Sequence, residues 1–499
     1  MRPAMIDPDV PEGRSMVRQF VALLVIGTAV AHSLGSTLRM PSHLEANDIS
    51  RWCTVWSLVE RGTYIIDDCP WQGKTQDKVY KASPFEKDKP DAPRHFYSSK
   101  PPLLPTLVAG ILYPIRKLTG VALDANVPQQ RIERTYRKYD TADPTKYQTI
   151  TETPAPVLWS VYVFYFKPII VVLNILPYLA FLILFARLLD RSVRNDWAWF
   201  AGLIAAAWGT PLTIFNTTLN NHTVAAFSAF FAVYALMKIW AVESEWSSEV
   251  DDAPKTPYGA YAAAGFFGAF TACNELPAAA FGILLFLLVL IRSPRATLLA
   301  FIPAALIPCA AFLVTLYMAT GGFTPFYAEF GSASYTGYEG SYWSTPLEMD
   351  WFDLHKEPKG VYLFHMLIGH HGMFSLTPIF LLAIVPMLRS MFGGERRLKV
   401  VAWLTFALTV GLFAFYTYKT NNYGGSTQGL RWLFWIFPFW LIFVPEGFES
   451  GQHNRAMRWI GLTCLALSVF TVGYGMRTPW SHPWILDMLE HFNLYTLTR

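Results

Sequence analysis

Three ionisable side chains stand where the chain passes between polar and apolar sequence. Asp48, in Asn47-Asp48-Ile49-Ser50-Arg51-Trp52, lies a short way past the apolar run 17–34. Lys100 opens Lys100-Pro101-Pro102-Leu103-Leu104. Arg431 follows the glycine-rich stretch Tyr423-Gly424-Gly425-Ser426-Thr427-Gln428-Gly429-Leu430 and begins another apolar block, with Lys419 at the head of the same loop. A carboxylate at such a boundary can take the proton of an attacking hydroxyl. Ammonium and guanidinium groups can hold a phosphate and stabilise charge that grows on it. Each residue also has a plainer use. Asp48 precedes the helix-compatible run 49–61 and could serve as its N-cap. Lys100 could simply snorkel to the headgroups. Asp67, Asp68, Lys74 and Lys78 are weaker candidates in the same polar stretch.

The elements that must hold these groups are membrane spans. Hydrophobic residues make up 53% of the 499 and charged ones only 15%, against about 25% charged in a soluble domain. Apolar blocks long enough to cross about 30 Å of hydrocarbon fall at 17–34, 157–189, 197–215, 222–241, 258–275, 277–292, 297–319, 372–391, 399–418, 430–445 and 457–476. The run 101–115 is short and interrupted by Pro105 and Pro114, which suits an interfacial or re-entrant helix. Cytoplasmic loops favour Lys and Arg. With the N-terminus, its Arg2, Arg14 and Arg18 included, inside, the inner loops hold Arg187, Arg191 and Arg194, then Arg292 and Arg295. Later inner loops hold Arg389, Arg396, Arg397 and Lys399, then Arg455 and Arg458. The acidic loop 242–257 departs from this pattern.

The expected fold is therefore an all-α integral membrane bundle of about eleven spans, forming one domain over 1–499. The first span, 17–34, leads to a long outer loop, 35–156, bearing interfacial helices. Spans two to seven occupy 157–319, and an outer aromatic-rich loop covers 320–371. Spans eight to eleven follow at 372–476, with an outer tail at 477–499. A net charge of +4 spread along the chain points away from nucleic acid.

Other residues carry weaker signals. Cys53 and Cys69 share the first outer loop, and an oxidising compartment could join them. Tyr335, Tyr338, Tyr342, Trp343 and Trp351 could cover a sugar or form an interfacial belt, with Glu339, Asp350 and Asp353 among them. His365, His370 and His371 have no carboxylate at helical ligand spacing, so they read as an interfacial cluster and not as a metal site. Glu275 sits at a polar turn between two spans. Lys167-Pro168 inside an apolar run marks a kink with a snorkelling lysine. Asn216-Thr217-Thr218 and Asn221-His222-Thr223 are formal glycosylation sequons.

Asn47-Asp48-Ile49-Ser50-Arg51-Trp52 and Phe96-Tyr97-Ser98-Ser99-Lys100-Pro101-Pro102-Leu103-Leu104 together resemble the start of GT-C membrane glycosyltransferases, especially the protein O-mannosyltransferase and aminoarabinose transferase group, family 39-like. His371-Gly372-Met373-Phe374-Ser375-Leu376-Thr377-Pro378 and the stretch from Tyr423 to Arg431 add to the likeness. Ile49 stands where the group has Glu and Trp52 where Tyr is common, and the outer turn Asn220-Asn221-His222-Thr223 does not match the second acidic motif of metal-using relatives. The resemblance implies transfer of a sugar from a polyprenyl-phosphate donor to an acceptor hydroxyl, the acceptor being a lipid, glycan or protein, at the outer membrane face. It implies Asp48 as general base, with Lys100, Arg431 and Lys419 on the donor phosphate. Arg51, Tyr97, Asn221, His222, Glu275, Tyr342 and Trp343 are candidate sugar or acceptor contacts. No cofactor follows from the sequence, and a divalent cation stays open. The rival class is a polytopic transporter or lipid flippase, which would place its polar groups at mid-membrane in two related halves.

Overall fold

A computed structural model describes residues 12–40, 45–85, 91–128, 134–139, 147–152, 158–160, 162–241, 256–344, 357–420 and 422–495. Arg2, Asp350, Trp351, Asp353 and nearly all of the acidic loop 242–257 lie outside the described residues. The architecture is predominantly helical. Among the described residues, seven helices are long and apolar enough to cross a membrane: Met16–Arg39, Phe164–Ser192, Asp196–Thr217, Asn221–Ala241, Pro294–Thr320, Arg396–Lys419 and Arg455–Gly475. Leu276–Arg292 and Pro378–Phe392 are apolar but shorter. The two remaining apolar blocks of the sequence are also helical. One is a single helix, Tyr258–Asn274, and the other is a broken run of short turns, Arg431–Ile436, Phe437–Leu441 and Val444–Glu449.

Burial sorts these helices into centre and periphery. In the apolar window of Asp196–Thr217, 83% is buried, against 22% in Pro294–Thr320 and in Arg455–Gly475. The outer helices present Leu298, Leu299, Leu306, Ile307 and Val314 to the surroundings. An apolar surface of that extent is tolerated where hydrocarbon, not water, is the solvent.

The segment after the first helix α1 (Glu12–Arg39) builds the platform for the site. Helix α2 (Ala46–Glu60) is buried along almost its whole length. Strands β1 (Lys78–Ala82) and β2 (Arg94–Ser98) pair antiparallel, Val79 opposite Tyr97. Ser50 fastens this hairpin to α2, bonding the Asp77 carbonyl at 2.5 Å and the Ser98 hydroxyl at 2.6 Å. Helix α3 (Leu103–Thr119) buries Leu104, Val108 and Leu112 against α2, while Leu107, Ile111, Ile115 and Leu118 face outward. Two apolar faces on one short helix suit a position in the lipid interface. Four more strands follow as two further antiparallel pairs, Asn126–Pro128 with Leu158–Ser160 and Arg134–Tyr139 with Tyr147–Glu152. Sequence reading expected helices alone here, because short strands interrupted by charge carry little period-two signal.

Three expectations change on contact with the fold. Lys167 gains a specific partner: its ammonium donates to the carbonyls of Thr37, Leu38 and Met40, with Thr37 and Met40 at 3.2 Å, and so caps the end of α1. A cation there answers the negative end of the helix dipole. Past Pro168 the helix runs through a π-helical turn at Val171–Ile175. The sequon asparagines Asn216 and Asn221 are buried, 0% and 3% exposed, which removes them as glycan acceptors. Cys53 and Cys69 are free buried thiols, and burial together with the adjacent Cys69 pushes the Cys53 thiol well up.

Candidate functional site

Asp48 lies in the first turn of α2 but does not cap it. Glu45 occupies the cap position, and Asp48 is completely buried. Its Oδ2 accepts from the indole Nε1 of Trp480 at 3.1 Å. Its Oδ1 is buried and has no hydrogen-bond partner among the described residues. Burial pushes this carboxyl up from the usual carboxylate range to about 7. Arg51, the Trp480 N–H and Arg431 pull it down, while Glu45 adds to the rise. A buried carboxyl with an unsatisfied oxygen costs stability, so it calls for an explanation other than architecture.

Arg51 stands one helical turn along the same helix. Its Nε donates to Asn221 Oδ1 at 2.9 Å and its Nη1 to the Asn47 carbonyl at 3.0 Å. Burial lowers Arg51 to about 10, partly offset by Asp48 and Asp77, and Arg431 and Glu275 also act on it. The group remains cationic at neutral pH. Lys100 is held at the end of β2 by Asp77, Nζ to Oδ2 2.8 Å. Burial lowers the Lys100 ammonium; Asp77 opposes this, and Arg51 and Arg431 reinforce it. Asp48, Arg51, Asp77, Lys100 and Arg431 thus act on one another across elements nearly 400 residues apart in sequence. Two cations beside one ion pair favour an incoming anion.

Arg431 is delivered by the turn before it. Gly424 and Gly429 have φ of 98° and 107°, backbone that other residues rarely adopt. A Cβ on Gly424 would lie in ordinary contact with the Arg431 side chain at 3.4 Å, so it is the backbone angle that calls for glycine. Gln428 ties this turn to the tail, donating to the Ser481 carbonyl and hydroxyl and to the His482 carbonyl at 2.6–3.1 Å. That tie seats Trp480, whose ring lies 4.9 Å from the Arg431 guanidinium carbon. One indole therefore touches both the carboxylate and the cation.

The remaining candidates divide. Asn221 joins Arg51 to the Asn274 carbonyl. His222 Nδ1 and Glu275 Oε1 pair at 2.5 Å, both buried, and both act on or feel Arg51. Tyr97 packs on Phe326 at 5.7 Å and, with Lys100, lines a small pocket walled by Thr54, Tyr64, Ala319 and Thr320. Trp343 Nε1 donates to the Gln76 carbonyl at 3.0 Å, and Tyr342 lies edge-on to it. The first part of the aromatic loop therefore covers the hairpin that bears Lys100; Lys81 and Glu329 pair at 2.6 Å across the join. Lys419 is different: it is exposed, over the Tyr418 ring at 5.9 Å. Asp67 accepts from the Phe96 amide and pairs with His95, and Asp68 pairs with Arg61 at the surface. Asp77, Gln428 and Trp480 were not singled out from sequence. Only the paired Pro479-Trp480 and Pro483-Trp484 of the tail hinted at a packed segment there.

No protein-family model matches this chain, and no curated protein matches it. Solved structures of the oligosaccharyltransferase of Archaeoglobus fulgidus are similar to it. The complex with Zn and sulfate and the apo form each give a TM-score of 0.46 at 11% identity, over 95% and 96% of this chain. The chain spans only 55% and 58% of the length of those proteins.

Proposed function

We propose that this chain is a GT-C-type integral membrane glycosyltransferase. It moves a sugar from a polyprenyl-phosphate donor to an acceptor hydroxyl at the outer face of the membrane. The observation that carries the reading is Asp48: a fully buried carboxyl with one oxygen that no described residue partners, set among Arg51, Arg431 and the Lys100–Asp77 pair. A buried carboxyl raised by desolvation and set beside specific charge partners is the arrangement that general bases use.

In the reaction the acceptor O–H gives its proton to Asp48 Oδ1 as its oxygen bonds to the anomeric carbon. The anomeric C–O bond to the phosphate breaks, and its electron pair stays on the phosphate oxygen. The leaving polyprenyl phosphate gains one negative charge, which Lys100 and Arg431 stabilise as it forms. Trp480 fixes the carboxylate and the guanidinium relative to each other, so little reorganisation remains for the transition state. His222, Glu275 and Asn221 line the acceptor side, and Tyr97 with the aromatic loop covers the donor sugar. The prenyl chain lies along α3, whose outward face is apolar. With the N-terminus cytoplasmic and eleven spans, α2, the hairpin, the glycine turn and the tail all fall on the outer side.

The test is transfer of radiolabel by purified protein from a panel of polyprenyl-phosphate sugars to acceptor. Asp48→Asn should abolish transfer while donor binding persists. Full-speed transfer by Asp48→Ala, or tagging that places residues 36–100 in the cytoplasm, would sink the proposal. Movement of intact donor across the bilayer without bond cleavage would instead favour a flippase.

A further inference from the structure

A second buried cluster lies beyond the glycine turn, apart from the transfer site. Glu357 precedes the helix Lys359–Leu367, His365 sits near the end of that helix, and His370 follows in the next turn. All three are buried, and each offers one ligand atom within 4.8 Å of the other two. The His365 and His370 rings stack with centroids 3.9 Å apart. The sequence holds no carboxylate at helical ligand spacing; the fold supplies Glu357 by another route, from the extended residue before the helix.

We propose that Glu357, His365 and His370 bind a divalent transition ion of the zinc class. Two imidazoles and one carboxylate are a donor set that such ions take, with bonds of about 2.0–2.2 Å. Tetrahedral geometry then puts ligand atoms roughly 3.3–3.5 Å apart, a closure that side-chain torsions supply. The surrounding groups are those that orient ligands. His371 Nδ1 lies 2.6 Å from His370 Nδ1. With His370 as donor in that contact, its Nε2 is the nitrogen whose lone pair a metal would take. Tyr495 donates to Glu357 Oε1 at 2.6 Å, and Tyr423 donates to Oε2. Gly369 completes the shape: a Cβ there would stand 2.2 Å from His365 Nδ1, so the turn leaves room for that imidazole.

The ion's role is structural. Tyr423 starts the turn that delivers Arg431, and its ring stacks on His371 at 4.8 Å. Tyr362, on the same helix as His365, donates to the Asn422 carbonyl at 2.7 Å. An ion at Glu357 would lock this helix, the glycine turn and the Tyr495 tail into one unit. The proposal does not depend on the transferase reading, because metal binding is measured without substrate.

Full-length protein stripped by chelator is titrated with Zn²⁺ or Co²⁺ alone. We expect one ion per chain by elemental analysis, a melting temperature that rises with Zn²⁺, and visible Co²⁺ bands of four-coordinate intensity. Glu357→Gln and His370→Gln should each weaken Zn²⁺ binding more than 100-fold, and Tyr495→Phe about tenfold. His453→Ala, at an exposed histidine, should leave the Co²⁺ bands unchanged. Wild-type protein that binds no stoichiometric ion and melts alike with and without Zn²⁺ overturns the site. So does an unchanged Co²⁺ spectrum in Glu357→Gln or His370→Gln. Should those two variants fail to fold, the wild-type stoichiometry and the Tyr495→Phe affinity decide the matter.

Discussion

Replacing Asp48 with Asn should make the protein both inert and more robust. In the folded state this carboxyl is pushed up from 3.8 to about 7 by burial. A group whose folded pKa is raised stabilises the fold while it stays protonated. That contribution is whole below about pH 4 and is lost as pH rises through about 7. At roughly 1.4 kcal/mol per pH unit between the two values, the ionised carboxylate costs on the order of 4 kcal/mol by pH 8. Asn mimics the protonated acid, keeps an oxygen for the Trp480 N–H, and cannot ionise. The variant should therefore match the wild type near pH 4 and exceed it by several degrees of melting temperature at pH 8. Tryptophan fluorescence in detergent across pH 4–9 follows this, since Trp480 touches the substituted group. Transfer should fall by about 10²–10⁴-fold, the usual worth of a positioned base. Loss of activity with lower stability at pH 8 would mean that Asp48 is a structural anchor, and the catalytic argument would fail.

The other expectations can be checked separately. In wild type, kcat/KM should climb with pH and level off above about 7, because only the ionised Asp48 accepts a proton; a flat profile from pH 5 to 8 contradicts this. Trp480→Phe removes the hydrogen bond that favours the carboxylate, so the acidic limb should move about one unit higher, and an unmoved limb would separate Trp480 from the base. Arg431→Gln should raise the KM for donor at least tenfold with acceptor KM little changed, measured by steady-state kinetics. Lys167→Met strips the cap from the end of α1 and should lower stability by about 1–2 kcal/mol, read as a lower melting temperature.

Much of the bundle was legible because length and apolarity are local properties. Each apolar block from 17 to 476 holds helix, down to the broken run that starts at Arg431, although the block at 157–189 opens with the strand Leu158–Ser160. Asp48, Lys100 and Arg431 were legible for a related reason: charge at the edge of an apolar block is conspicuous. Their partners were not. Asp77 lies in an ordinary polar loop, and what matters about it is the turn by which Ser50 pins that loop to α2. Trp480 is one of 18 tryptophans, and nothing local marks it as the donor to a carboxylate 432 positions earlier. Glu357 escaped the metal pattern because spacing rules describe helices, whereas its carboxylate enters from beyond the helix end. The hairpin was missed for want of a clean alternation, and the aromatic loop's packing on it depends on contacts far apart in sequence.

The indole at position 480 also has a consequence for biogenesis. At about 5–20 residues per second, a ribosome needs roughly 20–90 s to travel from Asp48 to its partner. Throughout that interval the early helices can insert and pack, yet the Asp48 carboxylate lacks its indole donor. A chain stopped before residue 480 would therefore lack the indole that bonds the Asp48 carboxylate and lies over the Arg431 guanidinium.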